Sequence, residues 1–149
     1  NIPELSFIQL PFNILDGRWK DIIPLIYKQK SERRLTIHSR SSLLQGLIGN
    51  DNISLWSKVG IQNYPEIKKW LKYHSRLNEC QNILELAIRY VISNNWIDGI
   101  VVGFDNIDQA REITSFFLKG ELPLESLEKV EFSRPIIAED SLDPSTWEV

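Results

Sequence analysis

Strand-like and helix-like periodicities alternate along this chain, and the strand-like runs lie too far apart to be joined by hairpins. That feature restricts the sheet to parallel pairing. Antiparallel neighbours close with a tight turn, whereas a parallel pair needs a long crossover, usually a helix. The spacing predicts strands over Leu5–Phe12, Leu35–His38 and Ile97–Val102. The first ends in the turn Asn13-Ile-Leu-Asp-Gly-Arg18. The third is apolar on both faces, as expected of a parallel strand with helices on one side and a packed interior on the other. The fold class is therefore α/β. Three such strands leave two open edges, which a stable soluble protein rarely leaves bare, so further strands are expected. A strand pattern that begins almost at once after Asn1, rather than after a Met, reads in the same sense, as a chain cut from something longer.

Between the strands, Trp19–Lys30 presents Ile22, Ile23, Leu25 and Ile26 as an apolar helix face, with Pro24 tolerable only near the helix start. From Ser39 to about Asn63 runs a segment rich in Ser and Gly. It is long enough to predict a functional loop or a docked lid. Helical patterning resumes at Glu66–Leu77 and at Gln81–Ser93, where Ile83, Leu84, Ala87, Ile88, Val91 and Ile92 share a face and Glu85 precedes Arg89 by one turn. After Gly103, Asn106 and Gln109 stand in capping-box spacing, and Ile107, Ala110, Ile113 and Phe117 form a stripe. A short helix over Leu124–Val130 and an acidic, proline-containing tail complete the chain.

The net charge of −3 is too small to argue for nucleic acid or a membrane surface, and neither is expected as a partner. Its distribution is uneven. Residues 121–149 hold eight acids against Lys129 and Arg134, while Arg18 to Arg40 holds seven Lys or Arg against Asp21 and Glu32. The basic window reads either as a solvated face or as a surface that meets an anionic ligand. No apolar run is long enough to span a bilayer, and no signal-peptide pattern opens the chain. Cys80 is the single cysteine, which rules out an internal disulfide and a cysteine-built zinc site and suits a reducing, cytoplasmic compartment.

Three segments carry a resemblance: Ile8-Gln-Leu-Pro-Phe-Asn-Ile-Leu-Asp16, His38-Ser-Arg-Ser-Ser-Leu-Leu-Gln-Gly-Leu47, and Ala87-Ile-Arg-Tyr-Val-Ile-Ser93 leading into Val101-Val-Gly-Phe-Asp-Asn-Ile-Asp-Gln109. In order and separation they resemble the last three strands of aldo/keto reductases, in particular the branch found in sugar and polysaccharide metabolism. Asp143-Pro-Ser-Thr-Trp147 looks like that branch's terminus. The resemblance implies that residues 1–149 are the C-terminal part, about three β/α units, of a TIM (β/α)8 barrel, with 121–149 as an acidic extension. It also implies a site at the C-terminal ends of the strands.

On that resemblance Gln9 matches the glutamine that holds the nicotinamide carboxamide of NAD(H) or NADP(H), since an amide can both donate to and accept from another amide. Its alternative is a buried strand glutamine bonded to neighbouring backbone. Arg40 and Ser41 match the residues that flank the nicotinamide and begin the loop over the pyrophosphate, which Leu43, Gln45 and Gly46 continue. Many relatives have proline where this chain has Ser42, which puts the loop's stiffness in question. Gly103, Phe104, Asp105 and Gln109 match the loop and helix start at the adenosine end, where unpaired N–H groups favour phosphate. Asp105 stands where NADPH-selective relatives often carry a cation, so NAD and NADP both stay open.

The family's catalytic aspartate, tyrosine, lysine and histidine come from earlier strands, so no catalytic residue is expected in this segment. His38 reads as a packed strand histidine rather than a ligand contact. Of the tryptophans, Trp19 and Trp56 lie where strand-end loops can reach substrate. Two functions follow. One is a reductase of an aldehyde or ketone, with sugars among the candidate substrates. The other is a non-catalytic regulatory or scaffolding protein of the same fold. The expected partners are a carbonyl substrate and, at the sheet edges, the other half of the barrel or a second copy.

Overall fold

The computed structural model describes residues 5–147. Three parallel strands, β1 (Phe7–Pro11), β2 (Thr36–Arg40) and β3 (Gly99–Ile100), lie side by side in that order. Helix α1 (Ile23–Glu32) follows β1, and α2 (Ile53–Lys58), α3 (Tyr64–Leu77) and α4 (Ile83–Ile92) follow β2. After β3 come α5 (Ile107–Leu118), α6 (Leu124–Phe132) and two 3₁₀ turns at Glu139–Leu142 and Pro144–Thr146. The α/β class and the parallel sheet expected from the spacing are both present.

In the sheet Gln9 stands opposite His38, and His38 opposite Gly99. Leu10, Ile37 and Ser39 are buried, while their alternates Phe7, Gln9 and Arg40 are exposed. Successive strand residues point to opposite faces, so the helices cover one face and the other is open. The packed interior expected on the second side of β3 is not found among the described residues, where Val101 is 43% exposed. The strand itself is also shorter than Ile97–Val102. The N–H of Ile37 donates to the Asp98 side chain (2.8 Å), which takes the place of a ladder carbonyl, and Lys30 Nζ donates to the same oxygen at 2.6 Å. One step on, Gly99 has no room for a side chain, since a Cβ there would lie 2.9 Å from the His38 ring.

The stretch from Ser39 to Asn63 is not the loop its composition predicts. It begins inside β2, then forms a 3₁₀ turn at Leu47–Gly49 and helix α2, and it buries Leu44, Leu47, Ile48, Trp56, Val59 and Ile61. These meet Phe12, Ile14 and Leu15 from the β1 turn, Ile67 and Leu71 of α3, and Leu86, Ala87 and Val91 of α4 in one core. Helix α4 is buried almost all round, including Glu85, whose carboxylate is held by Arg89 (3.3 Å), Lys119 (2.7 Å) and the Gln81 N–H (2.9 Å). A buried charge survives only when it is paired in this way.

Two helix faces differ from expectation. In α1 only Ile26 is buried, while Ile22 and Leu25 are exposed, because no element among the described residues lies over them. In α5 the residue in the core is Phe116, while Ile107 and Phe117 face out. The acidic extension is fastened to the body. Arg134 Nε donates to the Ile14 carbonyl at 2.9 Å, and its Nη2 donates to the Tyr90 hydroxyl.

Candidate functional site

At the C-terminal ends of the three strands lies a cleft of about 710 Å³. Gln9, Arg40, Ser41, Leu43, Gln45, Gly46, Gly103, Phe104, Asp105 and Gln109 all line it. Three motifs separated by tens of residues thus converge on one concavity. Ser42, Gly49, Asn50, Leu84, Val101, Val102 and Ile113 complete the lining and were not among the expected residues. Leu84 and Ile113 escaped because helical periodicity assigns an apolar residue to a buried face without saying whether that face meets core or cleft. Val101 and Val102 lie inside a quoted motif but read as strand.

The loop after β2 has an unusual backbone. Ser41, Leu44 and Gln45 have φ of 55°, 49° and 54°, and Gly46 has φ of 80°. Only glycine enters the left-handed region without steric cost, so the other three are held there by their surroundings. Leu44 N–H donates to Ser41 O at 2.8 Å and Leu47 N–H to Leu44 O at 3.0 Å. Below them Ser42, fully buried, shares a 2.9 Å hydrogen bond with Ser39 Oγ, which in turn donates to the Phe12 carbonyl at 3.0 Å. This pair of hydroxyls ties the loop to β2 and to the end of β1. Ser42 therefore restrains the loop by hydrogen bonding.

At the other wall, the start of α5 satisfies itself. Asn106 Oδ1 accepts from the N–H groups of Asp108 (3.1 Å) and Gln109 (3.0 Å), and Gln109 Oε1 accepts from Asp105 N–H at 2.8 Å. The capping box is displaced by one residue, because the Gln109 side chain returns to Asp105 rather than to Asn106. Three of the N–H groups expected to be unpaired are thereby occupied. The Asp105 carboxylate remains exposed on the rim.

Gln9 is exposed, and its side-chain amide has no hydrogen-bond partner among the described residues, which removes the alternative of a buried structural glutamine. His38 lies outside the cleft lining and packs edge-on against Phe7, with ring centroids 4.7 Å apart. In the basic window Arg18 pairs with Asp16, Lys28 with Glu32 and Lys30 with Asp98, and Arg40 is its member in the cleft. Neither Trp19 nor Trp56 lines this cleft. Trp56 is fully buried, with its indole N–H on the Asn50 carbonyl at 2.9 Å, and Trp19 packs on Trp96 and donates to Asp16 at 3.3 Å.

A helix-backed parallel sheet with a cleft at the strand C-termini, where its strand-end loops converge, is the architecture of part of a (β/α)8 barrel. Among solved structures the chain is similar to aldo-keto reductase AKR11C1 from Bacillus halodurans. With the apo form the TM-score is 0.65 at 18% identity, covering 93% of this chain and 47% of that one. With the holo form it is 0.66 at 17% identity, covering 94% and 46%. The chain thus has the fold of an aldo-keto reductase barrel over about half the length of the structures it matches. No protein-family model and no curated protein matches the sequence.

Proposed function

We propose that the intact protein is an NAD(P)H-dependent aldo-keto reductase acting on an aldehyde or ketone, sugar carbonyls among the candidates, and that this segment holds the cofactor. The observation that carries the reading is the convergence of ten motif residues on one cleft at the strand C-termini. The residues suit a nicotinamide dinucleotide. The unpartnered Gln9 amide is free to hold a carboxamide by donating and accepting at once. Ser41 and the left-handed loop through Gly46 offer a hydroxyl and backbone N–H groups to phosphate oxygens. Asp105 on the rim disfavours a second phosphate beside α5. When bound, the cofactor supplies the hydride.

The proton must come from elsewhere in the protein. Tyr90 is buried, accepts from Arg134 and donates to Glu131, and burial pushes its pKa well up. No tyrosine lines the cleft among the described residues. A tyrosine and lysine from the other strands of the barrel fill this role in the proposal, and the free Cys80 fits a cytoplasmic setting. Fluorescence titration of the full protein with NADH and NADPH tests the reading. Gln9→Ala should weaken binding by about 0.5 to 1.5 kcal/mol and Ser41→Ala, facing a charged group, by about 1.5 to 3. His38→Ala should leave affinity near the wild-type value. Equal affinities across the three variants would overturn the assignment.

A further inference from the structure

Behind the wall of the cleft formed by Gly49 and Leu84 lies a second concavity of about 460 Å³, and both of those residues line both spaces. The wall is thin. A Cβ on Gly49 would lie 2.7 Å from Leu84 Cδ2, so this glycine is what lets the 3₁₀ turn close against α4. The second concavity is cationic. Lys68, Lys72 and Arg76 follow one another at one-turn spacing along α3 and all line it. The chain as a whole is acidic, with a net charge of −3, so this row is a local reversal of sign.

The row is anchored at one end. Lys68 is 8% exposed, an unusual burial for an ammonium group, and its Nζ is held 2.5 Å from the carboxylate of Asp51, which stands largely in solvent. Tyr64 donates to the same carboxylate at 3.2 Å. Asp51 is therefore committed to Lys68, and its pKa lies below the usual carboxylate range because of the Lys68 hydrogen bond and charge. Lys72 and Arg76 have no ion-pair partner among the described residues. One acid faces three cations in a concave space, and two of the cations are unneutralised.

We propose that this concavity on α3 is a binding site for a phosphate-like oxyanion, held by Lys72 and Arg76 with Lys68 at its floor. The anion has two possible sources: a ribose phosphate of a nucleotide seated in the adjoining cleft, or a free phosphorylated or inorganic anion. The nucleotide source rests on the cofactor reading of the cleft; the free source does not.

The test is calorimetric titration of the full protein with three probes, orthophosphate, 5'-AMP and adenosine 2',5'-bisphosphate, before and after Lys72→Gln with Arg76→Gln. Both residues are exposed, so the variant should keep the wild-type circular dichroism spectrum. A loss of tenfold or more for the bisphosphate with 5'-AMP unchanged supports the site with the nucleotide as source. A similar loss for orthophosphate with the nucleotides unchanged supports it with a free anion as source, and stands even where Gln9→Ala has refuted the cofactor reading. Wild-type protein that binds neither anion, or a variant that binds both as well as wild type does, overturns the proposal. So does an equal loss in the control pair Lys20→Gln with Lys28→Gln, which removes the same charge elsewhere.

Discussion

At the scale of single residues, His74 shows how a hydroxyl proton fixes a tautomer. Ser133 Oγ donates to the Lys129 carbonyl at 2.7 Å, which uses its only proton. It must therefore accept from Trp70 Nε1 and from His74 Nε2, each 2.9 Å away. The neutral ring carries its proton on Nε2, and its Nδ1 is buried with no partner among the described residues. Charging the ring would create a buried donor with nowhere to point, and burial accordingly lowers the His74 pKa below its ordinary value. A depressed folded-state pKa means that the unfolded chain takes up a proton first on acidification. The contribution is full above the ordinary histidine pKa and is lost as pH falls through it toward the folded value, at a limiting slope of about 1.4 kcal/mol per pH unit. Thermal melts of the full protein between pH 7.5 and 5.5 should show a smaller fall in Tm for His74→Gln than for wild type. Parallel falls would exclude this histidine as the source.

At the scale of elements, what was legible in the sequence was what local chemistry dictates. Parallel pairing follows from the spacing of the apolar runs, and the three motif loops, marked by their resemblance to aldo/keto reductases, bring ten residues that do meet. Choices that depend on a neighbour were not legible. In α5 the adjacent Phe116 and Phe117 both fit a helical stripe, and only the position of α4 selects Phe116 for the core. In α1 the apolar face around Leu25 reads as core, although nothing among the described residues covers it. The Ser39–Asn63 stretch reads as loop because its turn residues outnumber its strong helix formers, yet Trp56 and Ile61 pull it into the body. Caps, by contrast, are local and readable. Asn106 holds two N–H groups of the first turn of α5, so Asn106→Ala should cost about 1 kcal/mol by urea denaturation. The same change at Asn95, an exposed turn residue that caps no helix among the described residues, should cost much less.

At the scale of the whole molecule, the helix layer and the sheet are unequally finished. Ile88 and Phe116 are fully buried, so the apolar face of α4 around Ile88 is covered. The incompleteness lies at the sheet. On and after β1, Phe7, Ile22 and Leu25 are 47%, 44% and 62% exposed, and after β3, Val101, Ile107 and Leu118 are 43%, 63% and 78% exposed. Both edges also carry backbone groups with no strand to pair them among the described residues. The solved barrels this chain matches are about twice its length, and a complete barrel of this type has eight strands. A well-packed helix layer beside two open, apolar edges predicts a segment that keeps its secondary structure but does not stay alone in solution. The isolated 149-residue chain should give a helical circular dichroism spectrum while light scattering at micromolar concentration reports association. Adding the remaining half of the barrel should replace that association with a one-to-one complex, because the same edges cannot serve both partners. A cooperative, monodisperse monomer would mean that the exposed residues at the two edges are tolerated as ordinary surface and that the sheet needs no partner.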